Sequence, residues 1–139
     1  TGLMGRWQIL QRNPLVVCDT GHNLAGWKYL SEQIKAVAEH RERQTPGGRL
    51  HIVFGMVDDK DVNAVLELLP PNACYYFTQA ATHRAIPVAK LQEMAVKKEL
   101  HGTAYQSVKE AYNAALSSST EKDFVFVGGS SYVVADLLS

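Results

Sequence analysis

The stretch VVCDTGHN, residues 16–23, decides how this chain is read. Its Asp-Thr-Gly is how the catalytic loop of an aspartic protease begins. The same letters fit a buried strand that ends in a carboxylate, a tight glycine turn, and a histidine where a helix starts. In the first reading Asp19 is half of an acid dyad. In the second it stands at the mouth of an α/β sheet.

The flanking sequence separates the two. LVVCD, Leu15 to Asp19, is a buried strand, and residues 23–40 place Leu24, Trp27, Leu30, Ile34 and Val37 on one helical stripe. LHIVFGM (50–56) is a second buried strand. In DVNAVLELL (61–69), Val62, Val65, Leu66 and Leu69 share one helix face. ACYYFTQ (73–79) is a third strand, and residues 87–100 form a helix with Pro87 suited to its first turn. GTAYQ (102–106) is a short fourth strand. SVKE (107–110) has capping-box form and opens the next helix. DFVFVGG (123–129) is a fifth strand and SSYVVADLL (130–138) a last helix. GRWQIL (5–10) adds a strand that the turn QRNP allows to pair antiparallel with LVVCD.

Strands alternating with helices predict an α/β fold: a Rossmann-like, doubly wound, mostly parallel sheet of about six strands, with one antiparallel N-terminal strand and helices on both faces. An aspartic protease lobe is nearly all β and does not fit. Asp19 instead ends a parallel strand, where open α/β sheets hold their ligands.

Length and composition agree. At 139 residues the chain is read as one domain, 1–139, large enough to fold on an apolar core without staples. Apolar residues at 46% and charged residues at 20% are globular values rather than those of a disordered chain. Fourteen basic side chains balance fourteen acidic ones, so composition points away from nucleic acid. No apolar run reaches the roughly 18 residues of a membrane span. Cys18 and Cys74, each inside a strand, read as buried thiols of a reducing compartment, the cytoplasm, and no metal site is expected.

Four loops could carry chemistry. In DTGHN, Gly21 permits a sharp turn or a close approach, Asn23 or Asp19 could cap the following helix, and His22 brings a proton that moves near neutral pH. Exposed N–H groups at that helix start attract anions. GGSSY (128–132) is a second anion cradle, or a turn with Ser130 as N-cap. MVDDKD (56–61) offers Lys60 to a substrate carboxylate, or is a solvated turn with Asp61 as cap. THRAIP (82–87) carries Arg84, whose role stays open. Gly21-x4-Gly26 before Trp27-Lys28 imitates a phosphate loop, but the lysine is displaced and no Ser or Thr follows it. No G-x-x-x-x-G-K-[ST], G-x-G-x-x-G or G-x-S-x-G occurs. The chain has binding groups on one rim and no engine.

Taken in order, GRWQIL, NPLVVCDTGHN, FGMVDDKD, THRAIP and FVGGSSYVVADLL resemble the C-terminal domain of the folylpolyglutamate synthase/dihydrofolate synthase family, a branch of the Mur ligase superfamily, from Gly5 to Leu138. Leu24 stands where the family often has proline, and Thr20-Gly21 where Gly-Ala is usual. The resemblance implies an ATP-dependent ligase that joins L-glutamate to a folate or dihydropteroate carboxylate through an acyl phosphate. It implies ATP and Mg2+ as cofactors, with the phosphate loop and most metal ligands on an N-terminal ATPase domain of the same polypeptide. Carried over by position, Asp19, Arg6 and Asn23 would serve ATP. His22 would lie near the reacting carboxylate and phosphates, with Asp19 and His22 the catalytic pair. Ser130, Lys60 and His22 would face glutamate. A cell-wall Mur ligase domain and a stand-alone, non-catalytic small-ligand-binding module are the alternatives.

Overall fold

The computed structural model describes residues 6–139. Its strands are β1 (Gln8–Arg12), β2 (Leu15–Asp19), β3 (Leu50–Phe54), β4 (Cys74–Phe77), β5 (Gly102–Ala104) and β6 (Phe124–Gly128). Its helices are α1 (Leu24–Gln44), α2 (Val62–Leu68), α3 (Val88–Val96), α4 (Val108–Ser117) and α5 (Ser131–Leu138).

The six strands form one sheet in the order β1-β2-β6-β3-β4-β5. Only β1 and β2 pair antiparallel; the rest are parallel. The chain steps from β2 through β3 and β4 to β5, then returns to place β6 between β2 and β3. Right-handed crossovers put the helices of the outward walk on one face and the helix of the return on the other. Two apolar layers result. Trp27, Leu30 and Ile34 of α1, Val65 and Leu66 of α2, and Leu91 of α3 pack on Ile52, Phe54, Phe77 and Phe126. On the other face, Val108, Ala111 and Ala115 of α4 and Val133 and Val134 of α5 pack on Val53, Val125 and Val127. β3 and β6 are buried along their whole length, as central parallel strands must be.

The elements match the sequence reading in kind and order, with shifted ends. The first strand runs from Gln8 to Arg12 instead of 5–10. Gly5 lies outside the described residues, and Arg6 and Trp7 bend, because Trp7 adopts a left-handed φ of 43° that no strand tolerates. Helix α1 continues to Gln44, past the expected residues 23–40; Arg41 and Arg43 in its last turn favour the negative end of the helix dipole. Pro87 precedes α3 as its cap residue, one position earlier than expected.

Candidate functional site

Loops after β2, β3, β4, β5 and β6 all leave the carboxyl ends of parallel strands, so they share one rim. On the β2 side of that rim a cavity of about 520 Å³ opens, lined by Arg6, Trp7, Asp19, His22 and Asn23, with Tyr29 and Gln33 from α1 on its wall. That is the size of an ordinary small-ligand site.

The Asp19 carboxylate, only 8% exposed, organises the loop. Its Oδ1 accepts the Gly21 N–H at 2.7 Å and its Oδ2 accepts the Trp7 N–H at 2.8 Å. The Gly21 carbonyl in turn accepts the indole N–H of the buried Trp27 at 3.1 Å. Gly21 sits in a tight place: a Cβ there would lie 3.2 Å from Asp19 Oδ1 and 3.3 Å from Leu30, so either side chain would have to give by a few tenths of an ångström. Asn23, not Asp19, caps α1, its Oδ1 accepting the Gly26 N–H at 2.8 Å. His22 is exposed at the cavity mouth. Among the described residues each carboxylate oxygen accepts one of these hydrogen bonds, which leaves Asp19 acceptor capacity for a hydroxyl from a ligand.

Ser130 and Lys60 stand on the same rim but outside this cavity. Ser130 is buried, and its Oγ accepts the Val133 N–H at 3.2 Å as the cap of α5. The preceding Gly129 has φ of 115°, and a Cβ on it would collide with the Gly55 carbonyl, so only glycine lets β6 run that close to the β3 loop. Lys60 is exposed on the loop after β3. That loop is stitched to the one after β4: Asp58 N–H donates to Arg84 O at 2.9 Å, and Ile86 N–H to Met56 O at 2.9 Å. Asp61 makes no side-chain cap; its N–H donates instead to Asp59 Oδ1 at 2.8 Å. Arg84 reaches across to donate to the Tyr132 hydroxyl at 3.3 Å.

Arg6, Asp19, His22 and Asn23 therefore gather at one cavity, while Lys60 and Arg84 occupy the neighbouring half of the rim, with Ser130 between. Sequence reasoning missed Trp7, Tyr29 and Gln33 as cavity walls. The helical spacing of Asn23, Gly26, Tyr29 and Gln33 was the available signal for the last two. Among the described residues no three His, Cys, Asp or Glu side chains converge as metal ligands. Cys18 and Cys74 are free. Burial, helped by the Asp19 charge, pushes the Cys18 thiol up to about 11, which leaves it inert as a nucleophile. No helix among the described residues is long and apolar enough to cross a membrane.

Comparison with known proteins follows the same lines. The chain is 29% identical over 139 residues to the dihydrofolate synthase/folylpolyglutamate synthase of Buchnera aphidicola subsp. Schizaphis graminum, covering 99% of this chain and 31% of that protein. It is 29% identical over 136 residues to the Escherichia coli K12 protein of the same description, covering 98% and 30%. The solved structure of E. coli FolC in complex with DHPP and ADP matches with a TM-score of 0.83 at 30% identity, over 98% of this chain and 30% of that one. The chain thus spans less than a third of the length of these relatives. Residues 5–131 match the family described as Mur ligase, glutamate ligase domain, and the chain belongs to that family.

Proposed function

We infer that this chain is the C-terminal, glutamate-ligase domain of an ATP-dependent folylpolyglutamate synthase/dihydrofolate synthase. The observation that carries this reading is the convergence of Arg6, Asp19, His22 and Asn23 on one cavity at the carboxyl rim of the sheet. Its support is the E. coli relative, captured with DHPP and ADP.

In the reaction the acceptor carboxylate oxygen attacks the γ-phosphorus of ATP, and ADP leaves. The amine of L-glutamate then attacks the acyl carbon, phosphate departs, and the amine nitrogen loses a proton. Charge grows first on the transferring phosphoryl group and then on the tetrahedral oxygen, so fixed cations and N–H donors accelerate both steps. Arg6 supplies the fixed positive charge on the cavity wall. Asp19 accepts a nucleotide hydroxyl. His22, free at the mouth, faces the reacting carboxylate and orients it or the departing phosphate. Lys60 and Ser130 hold the incoming glutamate on the adjoining half of the rim. The phosphate loop and most ligands of Mg2+ belong to an N-terminal ATPase domain of the same polypeptide.

The test is ADP release by the full-length parent enzyme with ATP, L-glutamate and either dihydropteroate or a UDP-muramoyl acceptor. Turnover with dihydropteroate or a folate supports the reading. Turnover with the UDP-muramoyl acceptor alone would reassign the chain to cell-wall ligases.

A further inference from the structure

Trp7 is a bulky residue in the left-handed region, φ 43°, where its Cβ crowds the following carbonyl. A conformation of that kind persists only where its surroundings over-determine it, and such residues cluster at functional sites. Three contacts hold this one. The Trp7 N–H donates to Asp19 Oδ2 at 2.8 Å. The indole lies against Phe126, ring centroids 6.0 Å apart, and meets Phe124 edge-on at 6.4 Å. Backbone and side chain are thus pinned separately, one to the loop after β2 and the other to the apolar layer over β6.

The residue before it in the chain is Arg6, on the cavity wall. Among the described residues no carboxylate forms an ion pair with its guanidinium. Among the described residues no carboxylate competes with a ligand for the charge, and the anchored Trp7 is its neighbour in the chain. Ordering a long cationic side chain at the moment of binding costs entropy, and anchoring its backbone beforehand reduces that cost.

We propose that Trp7 is a positioning residue for Arg6. The clamped tryptophan presents the guanidinium over the cavity before an anionic ligand arrives, and the Asp19 carboxylate closes the clamp. Asp19 then has a task besides touching ligand: one carboxylate ties the Gly21 loop to the Arg6–Trp7 bend and so sets the width of the site. The inference rests on the nucleotide reading above, because it takes the phosphates of ATP as the anion that Arg6 meets.

The experiment is steady-state kinetics of the full-length parent carrying Arg6→Ala, Trp7→Gly, Trp7→Phe, or Arg6→Ala with Trp7→Gly, each checked by thermal denaturation. Trp7→Gly keeps the left-handed backbone and its N–H to Asp19 accessible and deletes the indole anchor on Phe124 and Phe126. The expected result is a KM for ATP raised about tenfold by Arg6→Ala and by Trp7→Gly alike. The double variant is no worse than Arg6→Ala alone, and Trp7→Phe recovers most of the affinity. Independent effects that multiply in the double variant would overturn the clamp, because a tryptophan that merely packs has no reason to act through Arg6. A normal KM in Trp7→Gly beside a raised one in Arg6→Ala would also overturn it while leaving the nucleotide reading intact. An unchanged KM in Arg6→Ala would remove both. Should Trp7→Gly fail to fold, Trp7→Leu keeps apolar bulk, cannot cover both phenylalanine rings, and reads the same contrast.

Discussion

His51 and Asp123 meet at 2.7 Å, Nε2 to Oδ2, fully buried at the amino ends of β3 and β6, opposite the rim that carries the cavity. The other ring nitrogen of His51 lies 2.9 Å from the Tyr76 hydroxyl. Asp123 also accepts the Arg49 N–H at 3.0 Å and the Thr120 hydroxyl at 2.9 Å. Both ring nitrogens of His51 and both carboxylate oxygens of Asp123 are occupied by protein, at the end of the sheet opposite the ligand loops. The network therefore acts as a structural knot that fixes the approach of β6 to β3.

That knot predicts an acid-sensitive fold. Burial alone would raise the Asp123 carboxyl, but hydrogen bonds from His51, Arg49 and Thr120 outweigh it and hold the group down to about 2, from an ordinary 3.8. A carboxyl depressed in the folded chain stabilises it fully above the unfolded pKa, and that contribution disappears as pH falls from about 4 towards 2. Asp123→Asn is expected to cost about 2 kcal/mol at neutral pH. Urea denaturation from pH 7 to pH 2 checks this: the gap between wild type and variant must close at the acid end. A gap that stays constant with pH would show that the carboxylate charge is not what the network uses.

Ser130 is a second place where structure sharpens expectation. Its buried Oγ caps α5, and removing an N-cap hydroxyl costs about 1 kcal/mol. Ser130→Ala is expected to lower stability by that amount in chemical denaturation of this chain. In the full-length parent, the glutamate contact proposed for Ser130 adds a raised KM for L-glutamate with the KM for ATP unchanged. Lost stability with an unchanged glutamate KM would leave the residue a cap and nothing more.

The kind and order of the elements were legible because local patterns carry them: valine-rich apolar runs such as LVV and FVFV, and helical stripes such as Trp27, Leu30 and Ile34. The place of Asp19 at a strand end followed from the same patterns. Strand order was not legible, since seating β6 between β2 and β3 joins segments distant in sequence. His51 looked like one polar residue in an apolar run; its partner Asp123 is 72 residues away. Trp7 was hidden for a different reason. Its left-handed backbone contradicts the local preference of tryptophan, and only the contact with Asp19 and the two phenylalanine rings makes it tenable.

Asp19 and His22 share a loop and should fail differently. Asp19→Ala strands two backbone N–H groups, those of Trp7 and Gly21, so it is expected to cost about 1–3 kcal/mol of stability as well as activity. His22 is exposed and makes no hydrogen bond within the described residues, so His22→Ala should leave the melting temperature essentially unchanged. In the full-length parent each is expected to lower turnover on the order of a hundredfold or more. Parallel melting curves and ADP-release rates separate the two. Near-normal turnover in His22→Ala would remove the histidine from the chemistry.

The isolated 139-residue chain provides the last contrast. Its two apolar layers cover both faces of the sheet, so it is expected to unfold cooperatively on its own. Catalysis is a different matter. The sequence holds no phosphate-cradling G-x-x-x-x-G-K-[ST] loop, and the described residues build no metal cage. Arg6 alone cannot both bind a triphosphate and hold its γ-phosphorus in line for attack, since phosphoryl transfer relies on several donors placed together. ADP release by the purified chain with ATP, dihydropteroate and L-glutamate is expected to stay at the enzyme-free rate. Release well above that blank, abolished by Asp19→Ala, would mean that this rim assembles a complete active centre by itself and that the division of labour with an N-terminal ATPase domain is wrong.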